Sequence, residues 1–392
     1  MTPFDFKFAS NPVVYFGAGK FKVLPRLING FGPHVLLVTG ADSFKKNNRF
    51  QWLLKAFKNS PTQVYFFFVQ SEPSPELIDE IVRTYHDKQI HVVVAIGGGS
   101  VLDTGKAVSA MLTRKEPVST YLEGVGTKPY AGKKISFIAV PTTAGTGSEA
   151  TQNAVLTCVG ENGFKKSLRH ETLVPDIAVV DPELTLSCPP DITAACGMDA
   201  VTQLIESYVS VNASPMTDSL ALGGLSVLGD ALLRSVVTDP TDLDARTRMC
   251  YGSYVSGLTL ANAGLGAVHG FAAVIGGHFS IPHGVICGTL VAQVTQKNIK
   301  TLIRKDPKSK FLVKYATLGK VLGKSNSTDT LENAGLLSDL LMEWTKSIKI
   351  PLLGHFGVTG KDVDKIVSAT AQKSNPVTLT PRDLKDILNT RI

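Results

Sequence analysis

In the first half of the chain, apolar residues fall into short continuous runs separated by segments of helical period. HVLLVTG (34–40), TQVYFFFVQ (62–70), HVVVAIGGGS (91–100, a strand running into glycines) and KKISFIAVPTT (133–143) are rich in β-branched and aromatic residues and have strand length. FKFASNPVVYF (6–16) also reads as extended, and FKVLPRLI after GAGK as a short helical run. Between the strands, Phe50, Leu53, Leu54 and Phe57 are spaced i, i+3, i+4, i+7. PSPELIDEIVRTYHDK (73–88) opens on proline and sets Leu77, Ile78, Ile81 and Val82 on one helical face, and VLDTGKAVSAML predicts another helix. Strand and helix alternate, which predicts an α/β domain with a parallel sheet covered by helices. Ligands of such sheets bind beyond the carboxyl ends of the strands. Gly40, Gly97–Ser100 and Pro141–Thr143 fall at those ends.

The texture changes after PDIAVVDPELTLSCPPD (175–191), where Pro182, Pro189 and Pro190 mark the transition. Long helical patterns dominate from there to PRDLKDIL (381–388), which opens with proline and an acid as a helix start should. The expected organisation is an α/β domain over 1–185 and a mainly α-helical domain over 186–392.

Composition narrows the function classes. The 392 residues suit two domains, and 43% hydrophobic with 19% charged residues suits a large core. The net charge of +7 comes from scattered lysines without a basic run or aromatic-interleaved patch, which argues against nucleic acid. Five cysteines without a CxxC pair point to neither a disulfide framework nor a zinc ribbon, and to a reducing cytoplasm. No signal peptide, membrane span or membrane partner is expected.

Four stretches carry chemistry. Gly97-Gly98-Gly99-Ser100, leading into Asp103 and Lys106, places glycines between a buried strand and a helix start, a natural seat for a pyrophosphate. A ligand-free tight turn is the plain alternative. A P-loop would need Gly at Ser100 and Ser or Thr at Ala107, and the dinucleotide fingerprint a third Gly at Leu102. Lys22 likewise breaks that fingerprint in GAGKFK (17–22). PTTAGTGSEAT (141–151) concentrates hydroxyls and two glycines after a strand, where it can wrap a nucleotide or form an ordinary polar loop. In CGMDAVTQLIESYVS (196–210), Asp199 and Gln203 share a helical face amid apolar neighbours; a metal suits that carboxylate, as does an N-cap role. Finally, three of eight histidines, His269, His278 and His283, lie within 264–288 amid few charges. They are open to a metal or to packing as satisfied core histidines.

GGGSVLDTGK, PTTAGTGSE, VPDIAVVDPELT, GMDA and IPHGV, in this order and with the late NPVTLTPRDLKDIL (375–388), resemble the iron-containing (group III) alcohol dehydrogenase family over essentially the whole chain. The resemblance implies a dehydroquinate synthase-like fold, a homodimer, and reversible hydride transfer between NAD(P) and a small alcohol or aldehyde. It implies that Gly97, Gly98, Gly99 and Ser100 hold the pyrophosphate, that Asp103 and Lys106 support that turn, and that Thr142, Thr143, Gly147 and Ser148 contact the nucleotide. The family's metal site of one Asp and three His maps onto Asp199, His269 and His283, with Gln203 in the fourth place. That departure leaves open Fe²⁺ or Zn²⁺ held more weakly, water as a replacement ligand, or no metal. Ala273 stands where many relatives carry a further histidine, and His278 is a substitute proton donor. Gly40 stands where NAD-preferring relatives often place an acid, and with Ser43, Lys45 and Lys46 nearby the chain favours NADP over NAD, against which Asp42 weighs. Two other readings remain: a reductase of an anionic carbonyl (maleylacetate-like or phosphonate-bearing), and a non-catalytic binding protein that has lost the metal.

Overall fold

The computed structural model describes residues 4–41, 44, 48–58 and 60–392. Two compact units emerge. The first comprises Ala9–Cys158 and Lys165–Cys188, and the second Pro189–Ile392 with Val159–Phe164 and the described residues through Phe8. The change of composition places the division at 185; the chain divides between Cys188 and Pro189.

The first unit runs through β1 (Val13–Phe16), α1 (Leu24–Asn29), β2 (His34–Gly40), α2 (Asn48–Lys58), β3 (Gln63–Val69), α3 (Pro75–Tyr85), β4 (Val92–Gly97), α4 (Gly99–Met111) and β5 (Ser136–Pro141). It closes with β6 (Asn153–Cys158), β7 (Phe164–Arg169) and β8 (Ile177–Val180). Six strands form one sheet in the order β1-β8-β5-β4-β2-β3, with each neighbouring pair parallel, while β6 and β7 form a separate two-stranded sheet. β4 is buried along its whole length, as a central parallel strand covered on both faces must be. Ser74 caps α3 by accepting from the Leu77 amide, with Pro75 in the first turn where its missing N–H costs nothing.

The chain leaves β2 towards β3 on one side of the sheet and leaves β4 towards β5 on the other. Because β2 and β4 are neighbours, this reversal opens a crevice beyond their carboxyl ends, at Gly40 and Gly97–Gly99. The other glycine run is closed by its own protein: the buried Asp181 carboxylate accepts from the Gly19 amide at 3.1 Å and the Phe21 amide at 2.8 Å.

The second unit is helical: α5 (Pro190–Tyr208), α6 (Pro215–Leu228), the single turn α7 (Ala231–Leu233), α8 (Leu243–Ala263), α9 (Ala267–His278) and α10 (His283–Lys305). It continues through α11 (Lys310–Gly323), α12 (Thr330–Ser347), α13 (Val363–Ala369) and α14 (Pro381–Asn389). Thr380 and Asp383 form a reciprocal capping box at the start of α14. Among the described residues no single helix is long and apolar enough to cross a membrane.

Candidate functional site

In the helical unit, α5 presents Asp199, Gln203 and Glu206 at i, i+4 and i+7, one face of a helix buried almost throughout. α10 starts at His283 directly after Pro282 and carries Cys287 one turn on, on the same face. α9 brings His269. The His-Gly pairs have a packing reason. A Cβ at Gly284 would lie 2.2 Å from the Ala195 carbonyl oxygen of α5, and one at Gly270 would lie 1.9 Å from the Ala371 carbonyl oxygen. Glycine at both places lets the helices carrying the histidines approach their neighbours.

The side chains converge. His269 Nε2 lies 3.3 Å and His283 Nε2 3.7 Å from Asp199 Oδ1, and Cys287 Sγ lies 3.7 Å from each Nε2. One donor atom from each of these four residues lies within 4.8 Å of the other three. Asp199 is 1% exposed, and its Oδ1 has no hydrogen-bond partner of adequate geometry despite the two nearby imidazoles. A buried carboxylate oxygen without a hydrogen bond costs stability unless something else satisfies it. An oxygen, two imidazole nitrogens and a sulfur around one point form a donor set for a divalent transition metal. The residues present therefore fit the divalent metal that the resemblance implies.

The surroundings set the protonation. Glu206 Oε2 accepts from His269 Nδ1 at 2.7 Å, and Glu206 Oε1 accepts from the Val268 amide at 2.7 Å. Glu206 thereby fixes a proton on Nδ1, so that a metal displacing the Nε2 proton would find the Nε2 lone pair turned to the cluster, the carboxylate–histidine arrangement common behind metal ligands. Burial opposes charge on both Asp199 and His269. The two histidines nevertheless hold Asp199 below the usual carboxylate range, and the neighbouring Cys287, with the Asp199 and Glu206 carboxylates, holds His269 well above the usual imidazole range. Burial pushes the Cys287 thiol up to about 12. Gln203 hydrogen-bonds Asp199, and its carbonyl oxygen accepts from Ser256 Oγ at 2.7 Å. Asn375, from the late motif, accepts from the Ala267 amide at 3.2 Å and so fixes the start of α9.

Asp199, His269 and His283 are thus brought together, and Gln203 lies beside them. His278 is outside the cluster; its Nδ1 donates to the Gly160 carbonyl at 3.0 Å. Sequence patterns alone do not single out Cys287 or Glu206. The signal for Glu206 is a carboxylate seven residues after Asp199 in an apolar helix, and that for Cys287 is its place one turn after His283.

In the α/β unit, α4 begins at Gly98 without a side-chain cap, and Gly98, Gly99 and Ser100 are partly exposed at its N-terminus. The first-turn amides and the helix dipole there favour an anion. Gly97 is buried at the end of β4, where its carbonyl accepts from the Thr142 amide at 2.9 Å. Thr142 and Thr143 are partly exposed beside that turn. A Cβ on Gly99 would lie 2.6 Å from Thr146 Cγ2, so the two loops interlock at a glycine.

Asp103 and Lys106 support this turn from within. Lys106 is fully buried and donates to the Ser148, Thr151 and Asn153 carbonyls at 2.7, 3.0 and 3.0 Å and to both hydroxyls, Ser148 Oγ at 3.2 Å and Thr151 Oγ1 at 2.9 Å. Burial pulls its ammonium down to about 8, pushes the Asp103 carboxyl up, and pushes the neighbouring Glu149 carboxyl up to about 7. Ser148, expected to touch the nucleotide, is buried, and its hydroxyl donates to Asp103 at 2.5 Å; the need to satisfy Asp103 and Lys106 makes it framework. Gly147 is likewise buried, in a left-handed turn at φ 60°. Gly40 ends β2 at the crevice, whereas Ser43, Lys45, Lys46 and Asp42 lie outside the described residues.

A doubly wound sheet with an anion-ready turn at its switch point and, in the same chain, a helical unit with a metal-type cluster define a protein built to hold a nucleotide and a metal. A profile described as iron-containing alcohol dehydrogenase matches residues 11–182, and one described as Fe-containing alcohol dehydrogenase family, C-terminal, matches 193–392. The chain belongs to the iron-containing alcohol dehydrogenase family. It is 34% identical to long-chain-alcohol dehydrogenase 1 of Geobacillus thermodenitrificans, over 81% of this chain and 77% of that one. It is 30% identical to the NADPH-dependent butanol dehydrogenase of Clostridium saccharobutylicum, over 95% of each. The fold superposes on a solved 1,3-propanediol oxidoreductase with a TM-score of 0.88 at 28% identity, covering 99% of this chain and 100% of that one. The chain is therefore an enzyme, an alcohol/aldehyde oxidoreductase using a nicotinamide cofactor and a divalent metal.

Proposed function

We propose that this enzyme reduces small aldehydes with NADPH, and runs in reverse on the corresponding alcohols, through a divalent cation held by Asp199, His269 and His283. The observation that carries the reading is the convergence of two imidazole Nε2 atoms on the buried Oδ1 of Asp199. When bound, the cation supplies Lewis-acid polarisation of the substrate oxygen and the nicotinamide supplies the hydride. Glu206 holds the His269 proton at Nδ1 and keeps Nε2 free to ligate. Burial excludes water from Asp199 and strengthens its electrostatic pull. Gly98, Gly99 and Ser100 offer first-turn amides to the pyrophosphate, Thr142 and Thr143 line the adjoining turn, and Gly97, Gly147, Ser148, Asp103 and Lys106 hold those loops in place.

His278 Nδ1 is already committed to the Gly160 carbonyl, so we assign the proton of the reaction to water and give His278 the task of fixing the 159–164 segment. The preference for NADPH rests on Gly40 at the end of β2, which presents no carboxylate to repel a 2′-phosphate. We further place the enzyme in the cytoplasm as a homodimer. Oxidation of NADPH and NADH over a panel of short aldehydes tests the reading: kcat/KM is expected to be higher with NADPH. Turnover with NADH alone would reverse the cofactor assignment, and no turnover with either would sink the proposal.

A further inference from the structure

The fourth place of the metal centre is where Gln203 stands instead of a histidine, and any ligand assigned there rests on the reading that Asp199, His269 and His283 hold a cation. Only the carbonyl oxygen of a glutamine side chain can ligate a metal, because the amide nitrogen has no lone pair to give. In Gln203 that oxygen accepts from Ser256 Oγ at 2.7 Å, and Ser256 is itself fully buried on α8. Cys287 offers a softer donor than that already engaged oxygen. It is fully buried, one turn after His283 on the same helix, with Sγ 3.7 Å from both imidazole Nε2 atoms. In a tetrahedral centre with bonds of about 2.0–2.1 Å to nitrogen and oxygen and about 2.3 Å to sulfur, neighbouring donor atoms stand roughly 3.3–3.6 Å apart. The separations from each Nε2 atom to Asp199 Oδ1 and to Sγ, 3.3 to 3.7 Å, are close to those edges.

We infer that Cys287, as a thiolate, is the fourth protein ligand of this centre, in place of the family's third histidine, and that Gln203 is a positioning residue behind Asp199. On coordination the thiol gives its proton to water and its sulfur bonds the cation. The charge of the centre changes with it. One carboxylate and one thiolate neutralise a divalent cation, whereas one carboxylate with three neutral imidazoles leaves a net positive charge. The neutral centre polarises an oxygen less strongly, and its sulfur favours Zn²⁺ over harder cations.

The test uses Co²⁺ alone as the probe, added to the purified metal-free enzyme. A sulfur-to-cobalt charge-transfer band is expected in the near ultraviolet, absent from Cys287→Ser and Cys287→Ala and retained in Gln203→Ala. Zn²⁺ affinity, measured against a competing chelator, is expected to fall more than about 100-fold in Cys287→Ala and less than that in Gln203→Ala, as an outer residue would give. The wild-type spectrum is informative even where a variant fails to fold. Bound cobalt without the band, or metal lost in Gln203→Ala and kept in Cys287→Ala, overturns the inference and leaves the three-ligand reading standing. No bound Co²⁺ or Zn²⁺ in the wild type overturns both.

Discussion

Replacing Glu206 by glutamine keeps the shape of the side chain and removes one of its two acceptors. In the wild type both carboxylate oxygens accept, one from the Val268 amide and one from His269 Nδ1, each at 2.7 Å. A glutamine in the same place must choose. If its carbonyl takes the Val268 amide, its NH₂ faces His269 Nδ1, which can accept only after its proton moves to Nε2. Nε2, which lies 3.3 Å from Asp199 and must lose its proton to ligate, then keeps that proton in the neutral tautomer as well. The reversed amide would set NH₂ against the Val268 N–H, at a cost of about 1–3 kcal/mol for an unmet buried donor. Either way the metal must first undo an unfavourable arrangement. Outer-shell partners of this kind carry about 10–100-fold in metal affinity, or about 1.4–2.8 kcal/mol. The assay is competition of Zn²⁺ with a chelator for wild type and Glu206→Gln, with thermal melts of the metal-free proteins and ¹⁵N imidazole shifts to read the tautomer. Affinity retained within about threefold, well inside the outer-shell range, would refute the tautomer argument.

Three further outcomes are expected. Gly99→Ala puts a methyl 2.6 Å from Thr146 Cγ2, and overpacking of about 1–3 kcal/mol predicts roughly tenfold or greater loss of nucleotide affinity with metal content unchanged; equal affinity by fluorescence titration would contradict the interlocked turn. Glu149 has its folded pKa raised from 4.5 to about 7 by burial, so its contribution to stability is complete below pH 4.5 and is lost as pH rises through 7. Between pH 4 and pH 8 the wild type should therefore lose on the order of 3 kcal/mol relative to Glu149→Gln in denaturant melts, and parallel curves would show that the carboxyl is not perturbed. His278→Asn keeps a donor towards Gly160 and should change kcat by less than about tenfold, whereas a loss in the roughly 10²–10⁴-fold range of acid–base catalysis would return the proton role to His278.

The sheet was legible because β2, β3, β4 and β5 are parallel strands whose apolar runs announce themselves, and because Gly40, Gly97 and Pro141 end three of them. β6 and β7 were not, since FKKSLR carries several charges and half-exposed residues, and their pairing is a matter of tertiary placement. The grouping of 159–164 with the helical unit likewise leaves no mark in local composition. In the site, Asp199, His269 and His283 stood out by chemistry amid apolar neighbours. Cys287 did not, because a cysteine in an apolar helix reads as a small hydrophobe until folding sets its sulfur beside two imidazoles. Ser148 shows the opposite error, while Lys106 supports the turn as expected. Ser148 resembles a ligand-facing group in sequence, yet the buried Lys106 ammonium must find acceptors, and the 148–153 loop supplies them.

Aldehyde reduction by this chain is proposed to depend, above all, on a divalent cation at Asp199, His269 and His283. The most direct test follows NADPH oxidation with a short aldehyde for enzyme stripped by chelator and then titrated with Zn²⁺ or Fe²⁺, alongside His283→Ala treated identically. Activity is expected to disappear on stripping and to return as one equivalent of metal binds to the wild type, with no return in His283→Ala. Full activity in stripped enzyme with no measurable metal would contradict that dependence.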